Sequence, residues 1–129
     1  MTDHYQRLGL EAVAVCGGTS TKLLLYAEVE DGAISADIFF QLPAEQIVRF
    51  RFAPEALREL IYKFWESGEN SIAPRSWAAM RFVVVGGKFT VDLTYPEQLN
   101  PDEGLPERRP LVVAECFPGL QIDYSKPHG

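Results

Sequence analysis

The residue types that perform catalysis or hold metals are few and scattered in this chain. Its two histidines are His4 and His128, and its two cysteines are Cys16 and Cys116. A metal centre needs several such ligands to converge, and this spacing offers no ligand pair, so no metal and no cofactor is expected. The cysteines suit small buried apolar side chains better than a disulfide framework. Nucleophilic catalysis needs a base held beside Ser, Thr or Cys, yet the chain has no G-x-S-x-G elbow and no Cys with a usable His. Gly86-Gly87-Lys88 lacks the remaining spacing of a phosphate loop, and Phe89 stands where Ser or Thr would be needed, so the glycines are read as a turn. Gly17-Gly18-Thr19-Ser20-Thr21 precedes a predicted strand where an anion site would need a helix start, and is read as a linker. What remains for acid–base work is carboxylates: Asp92 with Glu97, and Glu28 with Asp37, the pairs that strands or loops could bring together. Such pairs are usually solvated faces.

The placement of charge is more informative than any pair. Eighteen acids against twelve bases give a net charge of -6, which disfavours nucleic acid and anionic membranes as direct partners and favours a basic one. Leu23 to Val48 holds Glu28, Glu30, Asp31, Asp37 and Glu45 with no Lys or Arg; Phe89 to Glu107 holds Asp92, Glu97, Asp102, Glu103 and Glu107, also with none. Ten of the eighteen acids therefore lie in two base-free windows, while residues 49 to 88 carry most of the bases. An acidic surface kept for solubility is the plain reading. A docking face for a cationic protein is the sharper one.

Those residues need a scaffold, and at 129 residues with 47% apolar composition the chain suits one domain over residues 1–129. Residues 1–21 read as a helix and linker, with Tyr5, Leu8, Ala12 and Val15 at helical spacing over Asp3 to Cys16. Residues 22–95 begin with a period of two: Leu23, Leu25, Ala27 and Val29 on one side of a strand, Leu24, Tyr26 and Glu28 on the other. Glu30-Asp31-Gly32 turns the chain into a second strand, Ala33 to Gln41, and Ile47 to Phe52 alternates Val48, Phe50 and Phe52 against Arg49 and Arg51 as a third. Pro54 then opens a helix whose stripe is Leu57, Leu60, Ile61, Phe64 and Trp65, stopping at Gly68. Met80 to Val85 and Lys88 to Tyr95 flank Gly86-Gly87 as a hairpin. Residues 96–129 are a Pro-rich acidic segment and tail in which Leu111 to Phe117 fits either a strand or a short helix. Short connections make neighbours antiparallel, so the fold predicted is α+β, a largely antiparallel sheet with helices packed on one face. No run approaches a membrane span, and the first residues lack the pattern of a secretory signal, so a cytoplasmic protein is expected.

Several of these segments in order resemble a known series. Lys22-Leu23-Leu24-Leu25-Tyr26-Ala27-Glu28-Val29, a helix ending Glu66-Ser67-Gly68, Trp77 ahead of a strand, Gly87-Lys88-Phe89-Thr90-Val91-Asp92-Leu93-Thr94-Tyr95, and Pro106-Glu107-Arg108-Arg109 are similar to motifs of the YezG-like immunity proteins, over about residues 22 to 122. The resemblance implies a small cytoplasmic protein that is not an enzyme and that binds and blocks a bacterial toxin, often a nuclease.

Two functions are carried forward. The first is an immunity protein neutralising a cognate toxin with a basic surface by stoichiometric occlusion, with Glu28, Asp37, Asp92, Glu97, Asp102, Glu103 and Glu107 as its docking acids. The second is a small-molecule-binding α+β domain or minor enzyme with a cleft around Trp77, Asp92 and Tyr95.

Overall fold

Residues 22–30 are apolar on both sides of the pleat, which suits a strand with no solvent-facing surface, and they form the middle of the sheet. The computed structural model describes residues 2–16, 22–30, 33–67, 77–99, 102 and 104–123. Within them the elements are α1 (Thr2–Val15), β1 (Lys22–Glu30), β2 (Ala33–Gln41), β3 (Ile47–Phe52), α2 (Glu55–Ser67), β4 (Ala79–Val85), β5 (Lys88–Thr94), a 3-10 turn (Pro96–Gln98), α3 (Leu105–Cys116) and β6 (Gln121–Asp123). The strand order is β5-β4-β1-β2-β3-β6. Every pairing is antiparallel except that of β6 with β3. The predicted α+β class and largely antiparallel sheet are what forms.

The two faces of β1 are both buried, as its alternation implies. Leu23, Leu25 and Ala27 join Ile38, Phe40, Met80 and Phe82 in a core closed by Leu8 and Ala12 of α1 and Leu57, Ile61 and Phe64 of α2. Leu24 and Tyr26 join Phe39, Val48 and Phe50 in a second core closed by Val112 and Val113 of α3, with Phe117 just beyond it. The expectation of helices on one face therefore holds for α1 and α2 and is corrected by α3, which covers the other. Of Leu111 to Phe117, open between strand and helix in the sequence, Leu111 to Cys116 belong to this helix and Phe117 is its C-cap. Two prolines obscured it. Pro106 sits in the first turn, where its missing N–H would have no intrahelical acceptor, and Pro110 interrupts a single backbone bond inside the helix.

Smaller differences follow from packing. In α2 the fully buried side chains are Leu57, Ile61 and Phe64, whereas Leu60 and Trp65 border the core only partly buried. The helix starts from the Pro54 carbonyl, which accepts from Arg58 N at 3.0 Å. Phe52 alternates correctly with Val48 and Phe50 but lies at the sheet's end and stays 67% exposed, its ring against Phe50 at 4.7 Å. The expected stop at Gly17-Gly18, the linker 17–21, the turn residues Asp31 and Gly32, the loop 68–76 and the tail 125–129 lie outside the described residues.

Gly86 and Gly87 link β4 and β5 with φ of 57° and 79°, the left-handed pair that a two-residue hairpin with the right twist requires. Valine at both positions is strained by about 1 to 3 kcal/mol at each, so the double variant should melt well below the wild type in a thermal scan. Leu57→Ala should cost about 2 to 5 kcal/mol by urea unfolding, and Glu59→Ala on the exposed side of α2 less than about 0.5 kcal/mol.

Candidate functional site

The chemistry of the molecule concentrates where α3 meets the sheet. On this face the strands align one transverse row: Asp92 opposite Arg81, Arg81 opposite Tyr26, Tyr26 opposite Asp37, Asp37 opposite Phe52. Glu28 lies two residues along β1 from Tyr26, on the same side. Both Glu28 and Asp37 are buried, at 8% and 6% exposure. A charge so placed needs a partner, and α3 supplies two consecutive arginines from 80 and 72 positions downstream.

Arg108 grips Glu28 with a two-pronged fork, Nε donating to Oε2 at 2.8 Å and Nη2 to Oε1 at 2.6 Å. Tyr26 Oη donates to the same Oε2 at 2.5 Å. Arg109 uses one prong, Nη1 to Asp37 Oδ2 at 2.6 Å, and its Nε is buried without an acceptor. Further along α3, Glu115 accepts from Arg81 Nη1 at 2.6 Å, and the Cys116 carbonyl accepts from Lys22 Nζ, which also lies over the Phe117 ring. The helix is fixed to the sheet by charge along its whole length.

Electrostatics follow from this arrangement. Burial works to raise the Glu28 carboxyl, but the hydrogen bonds from Arg108 and Tyr26 outweigh it and leave the group below its ordinary value near 4.5. Burial, and then the bond to Glu28, push the Tyr26 hydroxyl far above its ordinary value. Glu28 has its oxygens occupied and Tyr26 keeps its proton, so this pair serves to hold the helix in place. Burial also pushes the Cys16 thiol up to about 12 and raises that of Cys116; both thiols are free.

The seven proposed docking acids fall into three groups. Glu28 and Asp37 are taken up under α3, and Glu45 of the same window is met by a two-pronged pairing with Arg49 at 2.9 and 2.7 Å. Asp92, Glu97, Asp102 and Glu107 are exposed. Glu107 also caps its own helix, accepting from Gly104 N at 2.7 Å. Glu103 lies outside the described residues. Trp77 is a core residue, 2% exposed and packed on Phe64, with its carbonyl accepting from Trp65 Nε1. Tyr95 borders that same core, under α1 and α2, whereas Asp92 shares the α3 face with Arg81. The three residues therefore do not line one cleft.

Sequence reasoning missed Tyr26, Arg81, Arg108, Arg109 and Glu115 as one network. A signal was present: Glu28 and Asp37 interrupt strands whose neighbours on both faces are apolar, and a carboxylate there requires a cation from elsewhere in the chain. Among the described residues no group of three or more His, Cys, Asp or Glu could hold a metal ion, and no helix is long and apolar enough to cross a membrane.

These features define a single-sheet α+β domain with helices on both faces and a charged seam under the third helix. No protein-family model matches the chain, and no curated protein is significantly similar to it. The likeness to YezG-like proteins accordingly rests on the quoted motifs alone.

Because the folded state holds Glu28 at a depressed pKa, its contribution to stability is present above the ordinary carboxylate value and lost as pH falls through the lower folded one. Urea midpoints should therefore drop as pH is lowered from 6 through about 4, and Glu28→Gln should flatten part of that slope. At neutral pH the same variant should cost about 3 kcal/mol, because it leaves the Arg108 charge under α3 without its counter-ion.

Proposed function

We propose that the protein is a stoichiometric inhibitor that docks on a basic protein surface, with the flank of α3 that faces β4 and β5 as its binding surface. The observation that carries this reading is a groove of about 370 Å³ between α3, β4, the end of β5 and the 3-10 turn. Its apolar part is Leu99, Val112 and Leu111, the last 55% exposed. The cations within it are committed, Arg108 to Glu28 and Arg81 to Glu115. Glu115 lies in the lining, and exposed carboxylates neighbour it in register or sequence: Asp92 opposite Arg81, Glu97 next to Gln98 and Glu107 next to Arg108. An apolar centre with a charged rim is the anatomy of a protein–protein interface, and the sign of this rim suits Lys and Arg.

The YezG-like resemblance supplies the biological setting: an immunity protein whose partner is a bacterial toxin, of nuclease type. The physics is compatible with that partner, since a surface that binds nucleic acid is basic and an acidic inhibitor competes for it. Glu28 and Asp37 drop out of the docking set. Their role is to hold the helix that carries the groove.

The test is kinetic. Mixed with the toxin domain encoded beside it, the protein should form a one-to-one complex and suppress the toxin's activity. Association should slow as salt is raised, and Asp92→Asn and Glu97→Gln should reduce the on-rate with little change in melting temperature. Leu111→Ser should speed dissociation instead, since it removes apolar contact at the centre. The absence of a complex, or an on-rate indifferent to salt and to both carboxylate changes together with an off-rate indifferent to Leu111→Ser, would overturn the reading.

A further inference from the structure

The opposite flank of α3 has a different character. There the start of β2, the end of β3, the first turn of α2 and the first turns of α3 enclose a cavity of about 440 Å³. Arg58 reaches it from α2 and Arg109 from α3, two guanidinium groups arriving from opposite faces of the sheet, with Asp37 the one carboxylate in the lining. The cavity is thus net positive in a chain of net charge -6.

Neither arginine is used up. The Arg58 side chain makes no hydrogen bond or ion pair with a described residue, although Glu55 and Glu59 flank it on α2. Arg109 commits only Nη1 to Asp37, and its Nε is buried without an acceptor. The adjacent Arg108 shows what full use looks like, with Nε and Nη2 both bonded to one carboxylate. A guanidinium with spare donors is a fork that fits a carboxylate's two oxygens. Apart from Ser35 the rest of the wall is apolar, with Ile34, Leu105 and the exposed ring of Phe52 its large side chains. The volume lies within the range of small-ligand pockets, and the combination of a cationic end with an apolar wall selects an amphipathic anion.

We propose that the cavity between Arg58 and Arg109 binds an organic carboxylate borne on an apolar body of about one amino-acid residue, either a free acid or the carboxylate of a peptide's terminal residue. The carboxylate sits between the two guanidiniums and the apolar body lies against Phe52, Ile34 and Leu105. This site is separate from the groove on the other flank of α3, and it stands whether or not that groove binds a toxin.

The experiment is a titration of the full chain followed by calorimetry and by NMR of the arginine side-chain N–H signals. The probes are N-acetyl-phenylalanine, its amide, inorganic phosphate, and a pentapeptide ending in phenylalanine with a free or an amidated terminus. Saturable binding of N-acetyl-phenylalanine, with shifts at Arg58 and Arg109 and at least about tenfold weaker binding of the amide, is expected. Binding of the free-ended peptide as tightly as the small acid would identify the source as a chain terminus, and selective binding of the small acid would identify a free metabolite. Arg58→Gln, at an exposed position whose guanidinium has no partner among the described residues, should fold normally and weaken binding about tenfold or more, and Phe52→Ser should weaken it without changing the affinity for phosphate. No saturation by either carboxylate, equal binding of acid and amide, phosphate binding as tight as the acid, or unchanged affinity in folded Arg58→Gln would each overturn the proposal.

Discussion

Glu28 and Asp37 sit on the middle strands of a sheet, buried on a face otherwise made of Leu24, Tyr26, Phe39 and Phe50, and every feature of that face depends on how their charge is met. Two consecutive arginines meet it. Replacing such a pair by apolar residues is often neutral or favourable, so its worth lies less in net stability than in what it excludes. A helix sliding or rotating on an apolar sheet would lose little; one that must seat a guanidinium on each of two carboxylates has a single register. The third pair, Arg81 with Glu115, fixes the far end of the same helix. This anchoring also explains why a helix interrupted by Pro110 persists: tertiary contacts compensate for the backbone bond it lacks.

Fixing α3 creates the molecule's two most distinctive surfaces as by-products. On one flank the helix meets β4 and the 3-10 turn and leaves Leu111 exposed in a groove; on the other it meets the starts of β2 and α2 and leaves two arginines facing a cavity. One protein thus presents, on either side of one helix, a groove whose two arginines are both paired with carboxylates and a pocket whose arginines keep spare donors. Each flank selects its own ligand chemistry, because a low-dielectric wall strengthens whichever charge lies beside it.

The charge distribution along the chain had a different meaning from the charge distribution in space. Both base-free windows read alike in the sequence, yet Glu28 and Asp37 of the first are met from a distance by Arg108 and Arg109, and Glu45 locally by Arg49, while exposed acids of the second, Asp92 and Glu97 among them, stay on the surface. A window of acids reports local composition. Whether those acids form a face depends on which elements fold over them.

Local periodicity determined the strands β1 to β5, the α2 stripe and the Gly86-Gly87 turn, because each is decided by neighbours within a few residues: alternation in a pleat, repetition on a helix, positive φ at a tight turn. The two-faced burial of β1 was also legible, since Leu23 and Leu24 alternate into different cores and both are apolar. Only the tertiary structure decided that α3 is a helix, that it lies on the second face, and that Glu28 and Asp37 serve its anchoring and not a docking surface. Those outcomes depend on contacts between residues 72 to 80 positions apart, and a charge pattern in one dimension contains no information on which distant cation reaches which carboxylate. The split of Trp77 and Tyr95 from Asp92 has the same origin: residues close in sequence take opposite faces of a strand because the pleat alternates, and which face is covered by which helix is a property of the whole sheet.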